Sequence, residues 1–372
     1  MEKRIRIGIV FGGRSGEHEV SLASAASVIQ ALDPERFSVV LIGITREGRW
    51  ISSPDALLKL MDRRADNEVE RVLLPEPHRQ GLIEVGRSEE GPLKVDVVFP
   101  LVHGTLGEDG SLQGLLEMAD VPYVGAGVLA SAVGLDKVLQ KQIFGRARLP
   151  IALHSWFTAA EWKLRQLSVI RRVEASLIYP VFVKPANTGS SVGISKARDR
   201  RELRAAVGIA LEYDRKVIVE QAIRGAKEIE CSVLGNDDPV ASVLGEIIPS
   251  NEFYDYDAKY VDGKSTSIVP AELPKRVTKR IRELAVQAFR AVDCAGMARV
   301  DFFVTRGRNR IVLNELNTLP GFTLISMYPK LWEASGIPYH ELLERLVELA
   351  FERHREKGTL KRSFPSSREW YR

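Results

Sequence analysis

Three groups of residues have types and spacings that could do chemistry. Asp301 lies in Arg299-Val300-Asp301-Phe302-Phe303, and Glu315 and Asn317 lie in Asn314-Glu315-Leu316-Asn317-Thr318. On a strand, residues two apart share a face, so Arg299 points with Asp301 and Glu315 with Asn317. If the two segments are antiparallel neighbours, three oxygen-bearing side chains converge beside a guanidinium. Such a set suits a hard cation like Mg²⁺ and leaves coordination positions for phosphate oxygens. The second group is Lys184-Pro185-Ala186-Asn187-Thr188-Gly189-Ser190-Ser191-Val192-Gly193. Small residues between two short strands let backbone N–H groups approach an anion, and Lys184 at a strand end supplies a point charge. The third is Glu17, between a glycine turn and a helix, together with His103, which precedes Gly104 at another strand end. Each group also has an ordinary alternative: strand-end polar residues facing water, a surface hairpin, compensation of a helix dipole, or a turn cap.

Several familiar chemistries are excluded. Gly189-Ser190-Ser191-Val192-Gly193 matches G-x-S-x-G, but a strand rather than a helix is expected after it, which argues against a nucleophile elbow. G-x-G-x-x-G is missing at the first strand and G-x-x-x-x-G-K-[ST] throughout, so nucleotide binding needs another architecture. The six histidines are scattered and form no H-E-x-x-H.

The elements that must position these residues follow from hydrophobic periodicity. A buried strand over Ile5–Phe11 runs into Gly12-Gly13, a helix spans 20–32, a strand 37–44, a strand 95–102 and a helix 111–119. Repeated strand–turn–helix units predict a mostly parallel sheet whose ligands sit beyond the carboxyl ends of its strands. One helix is expected over 128–146, with a boundary at Leu149-Pro150. Strands follow at 181–184, 192–196 and 216–220, with a helix at 199–213. Strands at 228–234, 240–248, 297–304 and 310–316 surround a helix at 277–293, and helices at 324–334 and 339–355 close the chain.

The composition is that of a globular protein of two or three domains: 372 residues, 45% apolar and 27% charged. The formal net charge of +4 gives no general case for a nucleic acid or membrane partner, and no apolar run is long enough to span a bilayer. Cys231 and Cys294 sit in apolar contexts and are expected to be buried free thiols. The first residues lack the apolar stretch of a signal peptide, so a cytoplasmic location is expected.

Six sequence blocks occur in order: GGRSGEHEVSL (12–22), HGTLGEDGSLQG (103–114), KPANTGSSVG (184–193), FYDYDAKY (253–260), ARVDFF (298–303) and NELNTLPGFTLISMYP (314–329). Together they resemble the ATP-grasp superfamily and, within it, the bacterial D-alanine–D-alanine ligases, from about Ile5 to Glu348. The resemblance implies an α/β, three-domain ATP-grasp architecture. A Rossmann-like parallel-sheet domain (1–127) precedes a central domain (128–224) and a C-terminal catalytic domain (225–372), with ATP between the last two.

By the same resemblance, Lys137 and Lys184 hold ATP phosphates, Glu220, Gln221, Ala222 and Ile223 form the adenine hinge, Glu228 binds ribose and Phe253 packs on the nucleotide. Many relatives carry lysine at the position of Gln221, which puts a side-chain contact with adenine in doubt there. Asp301, Glu315 and Asn317 would hold two Mg²⁺ ions, with Mn²⁺ as a substitute. Glu17 would bind the ammonium of the first D-alanine, with His103 nearby, and Ser326, the backbone of Met327 and Lys259 would take the carboxylate of the second. Arg299 and the Gly321 N–H would stabilise the tetrahedral oxyanion, and Glu17, Ser190 and Tyr260 would form a hydrogen-bonded triad. Tyr260 implies an amine acceptor and a dipeptide product, as against a D-lactate or D-serine ligase of the same superfamily. A homodimer is the family expectation.

Overall fold

The computed structural model describes residues 3–65, 68–78, 81–85, 91–248, 266–361 and 363. Its first sheet has the order Trp50–Ile51, Phe37–Ile44, Ile5–Gly12, Val97–Pro100, and Ile5–Gly12 pairs in parallel with both Phe37–Ile44 and Val97–Pro100. Alternate residues of the central strand serve different cores. Ile7, Ile9 and Phe11 pack with Leu342, Leu343, Leu346 and Val347 of the C-terminal helix Tyr339–Gly358, whereas Val10 packs with Leu112 and Leu116 of the helix Ser111–Met118. Burial on both faces explains why the strand is almost continuously apolar. The helix His18–Ala31 starts where this strand ends. A three-stranded antiparallel sheet, Arg71–Leu73, Gly81–Glu84 and Leu93–Lys94, accompanies this region.

The middle sheet is antiparallel, in the order Ser195–Ala197, Val181–Pro185, Lys216–Gln221, His154–Thr158. The helices Ala159–Ser176 and Arg200–Tyr213 supply Val169, Ile170, Val173, Leu203 and Val207 to its core. The strand His154–Thr158 and the 18-residue helix after it were not anticipated from the sequence. Only Val169, Ile170 and Val173 of that helix are buried, so its apolar stripe is short. The strand expected over 192–196 is confined to Ser195–Ala197, because Ser190, Ser191 and Gly193 all have positive φ and curl the preceding loop.

The third sheet is also antiparallel, in the order Thr266–Ile268, Val240–Ile248, Ala226–Gly235, Gly296–Thr305, Ile311–Asn317. The helix Lys275–Ala291 buries Ile281, Leu284, Ala285, Ala288 and Phe289 against it. Ala130, Val133, Phe144 and Leu149 join this same core.

The single helix expected over 128–146 is instead two, Val128–Leu135 and Lys137–Arg146. Asp136 breaks it: its backbone is extended and its carboxylate accepts hydrogen bonds from the N–H groups of Val138 (3.0 Å) and Leu139 (3.1 Å). This is an N-cap, a role for which aspartate is well suited. Lys216 pairs with the other oxygen of Asp136 and ties the helix start to the middle sheet.

Candidate active site

The acidic set is assembled by strand register. Asp301 stands opposite Glu315, and Arg299 opposite Asn317, on the antiparallel strands Gly296–Thr305 and Ile311–Asn317. The register slips just after Asp301, where Phe302 pairs with Leu313, so the bulge falls beside the carboxylates. Arg299 grips Asp301 with a two-pronged contact, Nε to Oδ1 and a terminal nitrogen to Oδ2, both 2.7 Å, and its Nε lies 3.2 Å from Glu230 Oε2. Burial disfavours the guanidinium charge, but the carboxylates of Asp301 and Glu230, with Glu315 beyond, outweigh it and hold Arg299 protonated well above the usual arginine value. Asn317 Oδ1 accepts the Leu319 N–H at 2.9 Å and so shapes the turn leading to Gly321.

Among the described residues no three His, Cys, Asp or Glu side chains form a metal-binding group. Two carboxylates and an amide are nonetheless the right kind of donors for Mg²⁺, which takes few protein ligands and keeps positions for water and phosphate. The residues present therefore fit that ion.

A buried ion cluster lies next to this set. Lys184 Nζ is 2.5 Å from Glu220 Oε2, and Lys141 Nζ is 2.9 Å from Glu220 Oε1. Burial alone would raise the Glu220 value; the two lysines reverse that and hold it far below the usual carboxylate range. Burial likewise opposes the charge on Lys184, and Glu220, Glu315 and Glu228 overcome it, leaving the lysine raised. The side chain of Glu220 thus serves the lysines, and only its backbone is left for an adenine hinge. Lys137 Nζ donates to Thr188 O at 2.6 Å, and Asn187 is held by Asp214 through its backbone N–H and its amide, both 2.8 Å.

Gln221 is committed to the backbone beside it. Its Oε1 accepts the Ile178 N–H at 2.8 Å and its Nε2 donates to Ile178 O at 2.6 Å. The Ala222 N–H donates to Pro180 O at 3.3 Å, and Ile223 follows in the turn before the strand that carries Glu228.

Glu17 is buried at the start of the helix His18–Ala31, without forming a side-chain cap. The Ser190 hydroxyl donates to Glu17 Oε1 from the loop of the middle sheet. Glu17 Oε2 lies where a Cβ at Gly104 or Gly189 would stand, 2.6 Å from either position. His103 is buried beside it. Its Nε2 is 3.0 Å from Ser24 Oγ, and its Nδ1 is 3.3 Å from Glu108 Oε1. Burial pushes the imidazole value down, but the hydrogen bond and charge of Glu108, with the charge of Glu17, make the net shift upward. Ser24 Oγ also accepts the Phe322 N–H at 3.4 Å, next to Gly321. Ser326 Oγ accepts the Thr323 N–H at 3.1 Å and begins the helix Met327–Glu333, while Met327 is buried.

The structure therefore brings Glu17, Ser190 and His103 together, and Lys184 with Glu220, Glu228, Glu315, Asp301 and Arg299. Phe253, Lys259 and Tyr260 lie outside the described residues. Lys141, Glu230, Glu108 and Ser24 escaped the sequence reading. Lys141 had a faint signal, one helical turn after Lys137. Cys231 and Cys294 are buried free thiols, as expected, and burial raises both to about 12.

Residues 6–126 match the sequence family described as D-ala D-ala ligase N-terminus, and residues 143–348 match D-ala D-ala ligase C-terminus. The D-alanine–D-alanine ligase of Heliobacterium modesticaldum is 52% identical over 94% of this chain and 96% of its own length. That of Acetivibrio thermocellus is 47% identical over 96% of this chain and 98% of its own. Among solved structures, the D-alanine–D-alanine ligase of Coxiella burnetii superposes with TM-score 0.83 at 38% identity, covering 95% of this chain and 96% of that one. The VanG D-Ala:D-Ser ligase of Enterococcus faecalis gives the same TM-score at 36% identity, covering 94% of this chain and all of its own.

Proposed function

The chain belongs to the D-alanine–D-alanine ligase family, and from that membership we propose how its own residues carry the reaction. The protein is an ATP-dependent ligase that joins two D-alanines for peptidoglycan synthesis. The observation that most supports the residue roles is the facing pair Asp301 and Glu315 beside buried Lys184, at the junction of two sheets.

A carboxylate is a poor electrophile. Transfer of the γ-phosphoryl group of ATP to the first D-alanine carboxylate oxygen gives an acylphosphate and ADP. The free amine of the second D-alanine then attacks the acyl carbon, phosphate leaves, and the amine loses a proton. Phosphoryl transfer depends chiefly on positioning and charge neutralisation.

Lys137 and Lys184 take phosphate oxygens in this scheme. The backbones of Glu220, Gln221, Ala222 and Ile223 face adenine, Glu228 takes ribose and Phe253 packs on the base. Asp301, Glu315 and Asn317 would hold two Mg²⁺ ions, replaceable by Mn²⁺, which when bound neutralise phosphate charge. Glu17, wedged between two glycines, orients the first ammonium, with His103 beside it. Ser326, the Met327 backbone and Lys259 hold the second carboxylate. Arg299 and the Gly321 N–H meet the oxyanion that develops in the second step. For Arg299 to do so, its two-pronged grip on Asp301 must loosen. Tyr260 completes a triad with Glu17 and Ser190 and excludes water from the acylphosphate. The protein is proposed to act in the cytoplasm as a homodimer; among the described residues no helix is long and apolar enough to cross a membrane.

Phosphate release from Mg·ATP with D-alanine, with L-alanine, and with D-alanine plus D-lactate or D-serine tests the reading, with products identified by mass. A dipeptide of D-alanine alone is expected. A depsipeptide, or the D-alanyl-D-serine named by the VanG neighbour, would overturn the acceptor assignment.

A further inference from the structure

The cluster of Lys141, Glu220 and Lys184 holds one carboxylate between two ammonium groups, with side chains only 3%, 5% and 11% exposed. On the proposed function, Lys184 must serve a nucleotide phosphate, yet in this structure it lies 2.5 Å from Glu220. If Lys184 were the sole partner of Glu220, its departure would strand a buried carboxylate, and an uncompensated buried charge is strongly unfavourable. Lys141 approaches the opposite oxygen from a different element, the helix Lys137–Arg146. That helix is anchored independently of Lys184, by Asp136 at its cap, by the Lys216–Asp136 pair and by the Lys137 contact to Thr188. Lys141 Nζ already stands 2.9 Å from Glu220 Oε1, close enough to compensate that carboxylate when Lys184 turns away.

We propose that Lys141 is a positioning residue for ATP binding: it holds Glu220 so that Lys184 can leave that carboxylate and turn to the phosphates. Lys141 itself touches no substrate. Its positive charge, rather than its packing, is what the site uses. The inference rests on the role given above to Lys184.

The test is calorimetric titration of the full chain with a Mg-bound, non-hydrolysable ATP analogue, with adenosine as a phosphate-free control. Lys184→Met should weaken analogue binding; if it does not, the role of Lys184 itself fails, whatever Lys141 does. Lys141→Met should weaken analogue binding by roughly tenfold or more, the scale of a charged hydrogen bond, because Glu220 now retains Lys184. Adenosine affinity should stay unchanged. Lys141→Arg should bind like the parent. Lys141→Met combined with Glu220→Gln should recover most of the affinity that Lys141→Met loses, a strong departure from additivity. The double variant remains informative even if Lys141→Met does not fold. Parental affinity in a folded Lys141→Met variant, or a double variant as weak as the single one, would overturn the proposal.

Discussion

Gly189→Ala is a sharp probe of the proposed site for the first D-alanine. Gly189 lies outside the left-handed region, so an alanine meets no backbone penalty there. Its methyl group would instead stand 2.6 Å from Glu17 Oε2, 3.3 Å from Cδ and 3.4 Å from Oε1. The carboxylate must then move by several tenths of an ångström. Glu17 is buried, and Oε2 already fills the space that Gly104 leaves on the other side, so the easiest movement breaks the bond from Ser190. Loss of a charge-assisted hydrogen bond is worth about 1.5–3 kcal/mol. On kcat/KM for the first D-alanine that is roughly 10- to 150-fold. Initial rates of phosphate release over a range of D-alanine concentrations separate the first-site from the second-site dependence. The dependence on ATP should not change, because Lys137 and Lys184 are untouched. A folded Gly189→Ala variant with parental first-site dependence would refute the placement of Glu17 against the substrate. Gly104→Ala crowds the same oxygen but sits at φ +76°. It should therefore also lose about 1–2 kcal/mol of stability.

Further expectations follow from the same geometry. Asp301→Asn and Glu315→Gln should each abolish turnover while leaving a cooperative thermal transition, and near-normal turnover in both would remove them as metal ligands. His103 has a raised folded-state value through Glu108. Its stabilisation is therefore complete below the unfolded value of about 6.5 and declines as pH rises through the folded value. In denaturant titrations from mildly acid pH, where the carboxylate is still ionised, to mildly alkaline pH, the stability gap between parent and Glu108→Gln should be largest at the mildly acid end and narrow upward. A gap independent of pH would show that the pair does not titrate as argued. Tyr260→Phe should lower the ratio of dipeptide to depsipeptide when D-alanine and D-lactate compete, and an unchanged ratio would count against a role for Tyr260 in acceptor choice.

Local chemistry made much of this protein legible from its residues. The alternation around Asp301 and Glu315, the small residues of the loop after Lys184, and the glycine turn before Glu17 each single out residues that the fold sets on facing strands or at strand ends. The buried strands Ile5–Gly12 and Val240–Ile248 are plain in the apolar pattern because period and burial agree there. The helix Ala159–Ser176 was not, since a helix that buries only a short stripe carries a weak period.

What sequence order cannot supply is partnership between distant segments. Whether Asp301 faces Glu315 depends on a register that places a bulge between Asp301 and Phe302. Ser190 meets Glu17 across 173 positions, and Gln140 on one helix closes on the backbone of Leu316 across 176. Lys141 reads as a solvent-facing helical lysine until the helix is laid against the middle sheet, where Glu220 awaits it. Side-chain type and spacing are set by covalent order. The charge a buried group sees is set by which other elements pack against it, and that was decided only when the sheets and helices came together.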